Sequence, residues 1–523
     1  MRRRFRGLRS PPRERYDAVV IGAGIGGLVA ANLLAKGGLS VLVVEQHYMV
    51  GGYCSIFRRD GFTFDASTHF YPLVGNRETE PGRLLAELGV AVRWLRMDPV
   101  DVFHFPDGSR FEVPTDFATY QARLHAAFPD AVQGLNEFFA AAREANTAGL
   151  LGYFRGQRSA RLERWQNWTV RDALDRFIPD RKLQLLLTAD CPHWGSAPCR
   201  TSFVFDSMLR LAYFLGNYYP EGSSQAFTDD LARCLEERGG EILTSTAAVR
   251  IVTSAGRAEG VEIETTRGAL AGRRSVRCDL VIANGDLRHT LGDLLAGAPE
   301  AATALRATAG LRPSFPCFLT HLGLMGIPRD EIEAVQGYYW KEWNPDDVGR
   351  NALACKVFSP TLFDPDLAPP GGQIVILQKV VEVGPPSPGD PGDPAQRKRE
   401  VERFVLDQFE RILPGANRAI VSRSSASDRT AERFTRNQGG AMLGWEMSPD
   451  QLGGKRPDVA SPFANLHFVG HWTRPGGGVA PVLVSAMRAA EAILSGRPST
   501  LADRGGPEPA GLPAPPVPAP TTP

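Results

Sequence analysis

The chain carries almost no net charge: 59 Lys and Arg against 58 Asp and Glu leave +1 at neutral pH. No global field therefore favours nucleic acid or a strongly acidic partner. No stretch approaches the roughly twenty consecutive apolar residues of a spanning helix. Cysteine is sparse, with seven in 523 residues. Cys54, Cys234, Cys278, Cys317 and Cys355 have no close cysteine neighbour, and Cys191 and Cys199 lack metal-ligand spacing. That argues against a disulfide framework or a zinc module and suits reduced thiols in a cytoplasmic protein. The histidines show no metal spacing either, and no repeat of fixed period is present. What is there is ordinary globular material: 43% hydrophobic and 22% charged residues, enough for two or three domains.

The two ends differ from the body. Arg2, Arg3, Arg4, Arg6, Arg9, Arg13 and Arg15 crowd the start with no apolar stretch after them, so a signal peptide is not expected. Residues 1–15 read as a basic flexible leader, either solvated or touching anionic lipid. Residues 501–523, rich in Pro, Ala and Gly, read as a disordered tail.

Between them, Val19-Val20-Ile21-Gly22-Ala23-Gly24-Ile25-Gly26-Gly27 reads as a strand and a glycine turn. A helix over 28–36, a second strand Val41–Val44 and the acid Glu45 follow. Such a unit binds an adenine dinucleotide. Gly22 permits the tight turn, Gly24 a close approach to the pyrophosphate, and Gly27 close helix–strand packing. The helix start faces the phosphates, and Glu45 can accept from the ribose hydroxyls.

Four observations favour FAD over NAD. The unit opens the chain and is followed by Gly51-Gly52, where backbone can run beside a cofactor. The segments 239–243, 248–252, 260–264 and 278–284 read as a β-meander and a last strand rejoining the nucleotide-binding sheet. Residues 465–490 read as a strand, a glycine loop (Gly476, Gly477, Gly478) and a helix with proline in its first turn. That helix start can stabilise negative charge on a reduced flavin. Finally, there is no second GxGxxG unit, and Cys54 has no partner cysteine, as a disulfide reductase would require.

The combination Val20–Leu28, Glu45-Gln46-His47, Gly51-Gly52-Tyr53-Cys54 and Gly61–Asp65 resembles the phytoene desaturase, carotenoid isomerase and retinol saturase group of flavoproteins. So do Tyr219–Gln225, Asp279–Asp286 and Val469–Val479, and the resemblance runs from about Tyr16 to Leu494. It implies an α/β fold: a discontinuous Rossmann-like FAD-binding domain with a β-meander, plus an α+β substrate domain, as in amine oxidase and phytoene desaturase flavoproteins. The expected FAD domain is 16–95, 223–288 and 455–500; the expected substrate domain is 96–222 and 289–454. The expected cofactor contacts are Gly22, Ala23, Gly24, Gly26, Gly27, Glu45 and Gln46, then Gly51, Gly52 and Val249, and finally Gly470, His471, Gly478 and Val479. Related flavoproteins often carry an acid after the glycine, where His471 stands. The resemblance implies hydride exchange between flavin N5 and a carbon of a lipophilic polyene or isoprenoid, giving desaturation, saturation or isomerisation. A flavin amine oxidase and a non-catalytic flavin-fold binding module, Rab-escort-like, are the alternatives.

Aromatics concentrate in 96–219 (Trp165, Trp168, Trp194, Phe203, Phe205, Tyr213, Phe214, Tyr218, Tyr219) and again at Tyr338, Tyr339, Trp340 and Trp343. They can line an apolar tunnel; ordinary core is the competing reading for each. His69, His193, His321 and His471 are the acid–base candidates, His69 foremost, and no catalytic residue is assigned. Residues 203–215 can lie at a membrane interface or form a core helix. A peripheral membrane surface is the expected partner, and the oligomeric state is open.

Overall fold

The computed structural model describes residues 7–8, 10–267, 271–382 and 393–496. The tail expected at 501–523 and Arg2, Arg3, Arg4, Arg6 and Arg9 of the leader lie outside them. Strand β1 (Arg15–Ile21), helix α1 (Ile25–Lys36) and strand β2 (Val41–Val44) form a parallel βαβ unit. The strands are continuous apolar runs because both faces of the sheet are covered. Ala18 and Val20 pack with α1 and the helices Ser224–Glu237 and Val479–Ser495, whereas Val19 and Ile21 pack against residues from 287–305 and 441–472. Alternate residues of one strand thus serve two cores.

The sheet is completed from distant segments. Gly272–Ala283 lies beside β1, and its two halves differ in role. Residues 277–283 pair parallel with β1, and 281–283 also with Leu466–Phe468, whereas 272–277 pair antiparallel with Arg257–Thr265. Arg257–Thr265 in turn pairs with Thr246–Ser254, giving the three-stranded meander. Glu241–Leu243, expected with the meander, instead forms the outer edge of the parallel sheet beside β2. The described part of the leader is tied to that edge: Leu8 N–H donates to Ile242 O at 2.7 Å, and Arg13 pairs with Glu241 at 2.6 Å.

A second seven-stranded sheet takes its strands from 101–113 and 317–426, in the order Ile420–Ala426, Cys317–Met325, Gly372–Val380, Leu353–Phe358, Gly337–Trp340, Asp101–His104, Arg110–Val113. Helices from 117–214 cover one end through a core that includes Phe138, Phe139, Trp194 and Phe203. The hairpin Ile56–Arg59/Phe62–Asp65 links the two sheets, because Phe62 and Phe64 pack among Leu319, Phe358 and Ile376. Residues 203–214 are a helix; its first turn is buried, and its exit at Leu215 is exposed. No helix among the described residues is long and apolar enough to cross a membrane.

Candidate functional site

The site begins at the carboxyl end of β1, where an open parallel sheet places ligands. Gly22 has φ 94°, a left-handed value that a side chain rarely adopts. α1 starts at Ile25, three residues earlier than read from sequence, because Gly24 itself is the N-cap. No side chain caps that helix start, so its first N–H groups are available to an anion. A Cβ on Gly27 would lie 2.0 Å from Gly22 O, which accounts for the glycine as a packing requirement. Glu45 is 8% exposed and accepts from Ala23 N–H at 2.7 Å and His47 N–H at 2.8 Å. Burial pushes its carboxyl pKa up, and the N–H groups of His47 and Ala23 oppose that rise.

Asn284, at the end of 272–283, fills the hollow of the turn. A Cβ on Gly26 would sit 2.5 Å from its Oδ1, and one on Gly470 would sit 2.9 Å from the same atom. The C-terminal segment therefore meets the glycine turn directly. Gly470 N–H donates to Ser485 Oγ at 2.9 Å. Gly478 (φ 102°) is the N-cap of Val479–Ser495, whose start also lacks a side-chain cap. Two uncapped helix starts thus open on one space, a cavity of ≈ 900 Å³. Arg456, buried behind the loop, donates to Leu443 O and Trp445 O at 3.2 Å, His471 O at 2.7 Å and Thr473 O at 3.2 Å. Desolvation lowers its pKa to about 9. His471 is pushed down to about 3, by burial first and then by the Arg456 charge.

A strap from 434–441 crosses to the N-terminal segment. Gln46 Nε2 donates to Phe434 O at 2.9 Å and its Oε1 accepts from Arg436 at 3.0 Å. Tyr53 OH donates to Ala441 O at 3.0 Å, and His471 Nε2 lies 3.1 Å from Asn437 Oδ1. On the far side, the ladder skips register between Ala248 and Arg250. Val249 is the bulged residue there, which frees its backbone groups for a ligand.

Beyond Thr68 the cavity turns apolar. Leu150, Phe154, Phe205, Met208, Leu209 and Ala212 line it, with Met442, Met447 and Leu452 opposite. Of the aromatics read as tunnel residues, only Phe205 and Tyr213 are on this wall; Trp165, Trp194 and Phe203 belong to the core behind it. His69 and His193 line the same stretch. His321 does not, since its Nε2 is tied to Asp65 O at 2.9 Å.

Gly22, Gly24, Gly26, Glu45, Gln46, Gly51 and Gly52 are all on the cavity wall, as are Val249, Gly470, His471, Gly478 and Val479. Ala23 and Gly27 are not; Ala23 contributes its N–H to Glu45, and Gly27 packs on the strand. The sequence reading did not single out Asn284 or Arg456. An Asn ending the third parallel strand opposite a glycine turn is a usable signal for the first; a lone arginine in a loop offers none.

A glycine-rich turn, a buried acid and a second glycine-rich helix start, converging at the carboxyl end of a parallel sheet, define a dinucleotide-dependent enzyme. Residues 25–494 match the family described as flavin containing amine oxidoreductase, and the chain belongs to that family. Its cofactor is FAD, and it is an FAD-dependent oxidoreductase. The cradle fits that cofactor, because two helix starts without side-chain caps open on one cavity that Gly22, Gly24, Gly51, Gly52 and Gly478 border without side chains. The chain is 27% identical over 505 residues to a phytoene desaturase (lycopene-forming) from Pseudescherichia vulneris, covering 91% of this chain and 98% of that one. It is 26% identical over 510 residues to prolycopene isomerase 1 of an Oncidium hybrid cultivar, covering 92% and 84%. The fold is shared with a Methanosarcina mazei oxidoreductase of known structure, at TM-score 0.62 and 20% identity, covering 91% and 99%.

Proposed function

We propose that this chain acts on carbon–carbon bonds of a carotenoid or related polyene, by desaturation, saturation or cis–trans isomerisation. The observation that carries this reading is the second half of the cavity. It continues from the cofactor cradle as an apolar wall of leucine, methionine and phenylalanine, with Tyr213 and two histidines. Methionine is unbranched and polarisable and adapts to a long ligand. A flavin amine oxidase would instead need an aromatic cage for an amine beside the flavin; here the aromatics Phe154, Phe205 and Tyr213 are interleaved with leucine and methionine along the wall. The names of the relatives, phytoene desaturase and prolycopene isomerase, support the same substrate class.

The proposed cofactor arrangement follows the cradle. The starts of α1 and of Val479–Ser495 hold the pyrophosphate and the flavin end, Glu45 the ribose, and the Val249 backbone the adenine. The domain division proposed is the one read from sequence, with the FAD domain drawn from 16–95, 223–288 and 455–500 and the substrate domain from the segments between. FAD supplies a two-electron acceptor for a hydride leaving carbon. The chain's own part is to bind the polyene, exclude water and manage the accompanying proton. Leu150 and Leu215, 45% and 55% exposed, both border the cavity and support entry of substrate from a membrane that the protein touches peripherally. The seven free cysteines support a cytoplasmic setting. Expression in cells making phytoene, followed by pigment separation, tests the reading. A new pigment is expected; unchanged pigment with acyclic and cyclic carotenoids alike would contradict it.

A further inference from the structure

A built polar cluster stands behind the apolar half of the cavity and reaches its wall through His193. Lys356, 2% exposed, pairs with Asp101 at 3.0 Å and donates to Tyr338 OH at 3.1 Å. Tyr338 lies 2.8 Å from His193 Nε2, and Lys356 Nζ is 3.5 Å from the same nitrogen. Lys356 and Phe358 are two residues apart on Leu353–Phe358, so they share a face. That face presents Lys356 to His193 and Phe358 to His69, whose ring stacks on Phe358 at 4.3 Å between centroids.

The surroundings leave His193 Nδ1 without a partner, and they leave His69 incomplete at Nε2. His69 is 3% exposed, and its ring is on the cavity wall. Nδ1 lies 2.8 Å from Ser67 O, and a carbonyl only accepts, so Nδ1 carries the proton. Nε2 then holds a bare lone pair, buried and with no hydrogen-bond partner among the described residues. A buried acceptor without a partner costs about 1–3 kcal/mol and calls for an explanation. The loop is held by tertiary bonds rather than chance: Asp65 accepts from Tyr219 OH at 2.6 Å and Ser224 N–H at 2.8 Å.

Resting on the polyene reading above, we propose that His69 is the proton carrier of the reaction, through Nε2. Converting a CH–CH pair to C=C removes one hydride and one proton. FAD, when bound, would accept the hydride with its two electrons. The C–H bond beside the resulting allylic cation then breaks; its electron pair becomes the new π bond and its proton passes to Nε2, leaving an imidazolium. Saturation runs the same balance backwards. A C–H next to a carbocation is a strong acid, so a base of low proton affinity is sufficient and releases the proton readily afterwards. Burial sets that affinity first, then the Lys356 charge and His321, while the bond to Ser67 O opposes them; Asp101 is paired with Lys356. These effects push the His69 imidazole down to about 3.

The test compares holoenzyme with His69→Gln and His69→Phe. Gln can still donate to Ser67 O; Phe preserves the stack on Phe358; neither has a titratable nitrogen. With phytoene in liposomes, kcat is expected to fall at least about 100-fold in both, the range of a lost general base. KM and bound flavin are expected to stay within about 3-fold. In ¹⁵N-histidine-labelled holoenzyme, the His69 signals are expected to show protonated Nδ1 and bare Nε2, with Nε2 moving when phytoene is added. An active wild type with both variants within about 3-fold in kcat, or an Nε2 signal that does not move, overturns the assignment alone. A wild type inert toward every polyene overturns the function reading and this assignment with it.

Discussion

The side chain of Asn284 lies where a Cβ on Gly26 would have to go: the two would be 2.5 Å apart. One residue ends the third parallel strand and the other begins the first helix. Their contact, with Gly470 on the same amide, joins the N-terminal, middle and C-terminal pieces of the cofactor cradle.

Replacing Gly26 with Ala is therefore expected to reduce bound FAD at least 10-fold. Asn284→Ala removes the clash, so Gly26→Ala/Asn284→Ala is expected to retain more flavin than Gly26→Ala alone. Flavin absorbance per chain across the four proteins measures the coupling. Strict additivity would contradict the contact.

Arg456 holds four backbone carbonyls that shape the loop before the C-terminal helix. Arg456→Met leaves them buried without a donor, and a loss of about 3 kcal/mol or more in unfolding free energy is expected. Arg456→Lys, which lacks the planar fork, is expected to recover only part of it. Thermal unfolding of flavin-loaded protein decides between these outcomes.

Stability is expected to fall in mild acid. His69 and His471 titrate at about 3 in the folded chain, against an unfolded value of about 6.5. Between these limits the unfolded state binds protons that the folded state refuses, so falling pH favours unfolding. Their contribution is complete above about pH 6.5 and declines by about 1.4 kcal/mol per pH unit per histidine below it. Denaturant midpoints at pH 7.5, 6 and 5 measure the slope, which His471→Asn is expected to flatten.

The apolar half can be blocked without disturbing the cradle. Ala212 faces the cavity between Leu209 and Leu215. Ala212→Trp is expected to abolish polyene turnover while bound flavin stays within about 2-fold. Equal loss of both would place the cofactor, not the polyene, at this wall.

The parts of this architecture that are local in sequence were legible. The glycine turn, Glu45 and the glycine-rich C-terminal loop carry their spacing with them, and the structure puts them on one cavity. Helix α1 began earlier than expected because the glycines serve as cap and first turn at once. Glu241–Leu243 moved to the sheet edge because a three-residue strand does not announce its partner. Which aromatics line the cavity was not legible, because bulk and apolarity suit a core as well as a lining; Trp194 and Phe203 lie in the core, Phe205 and Tyr213 on the wall. Arg456 and the Lys356–Tyr338–His193 group act across separations that no spacing rule spans.

The account turns on three distant segments enclosing one FAD beside an apolar cavity. Titration of flavin-free protein with FAD, followed anaerobically by phytoene, tests this directly. One FAD per chain is expected, with its yellow band bleaching as the pigment absorption moves to longer wavelength. Protein that takes up no FAD, or takes it up equally after Gly26→Val and Gly478→Val, would contradict the account.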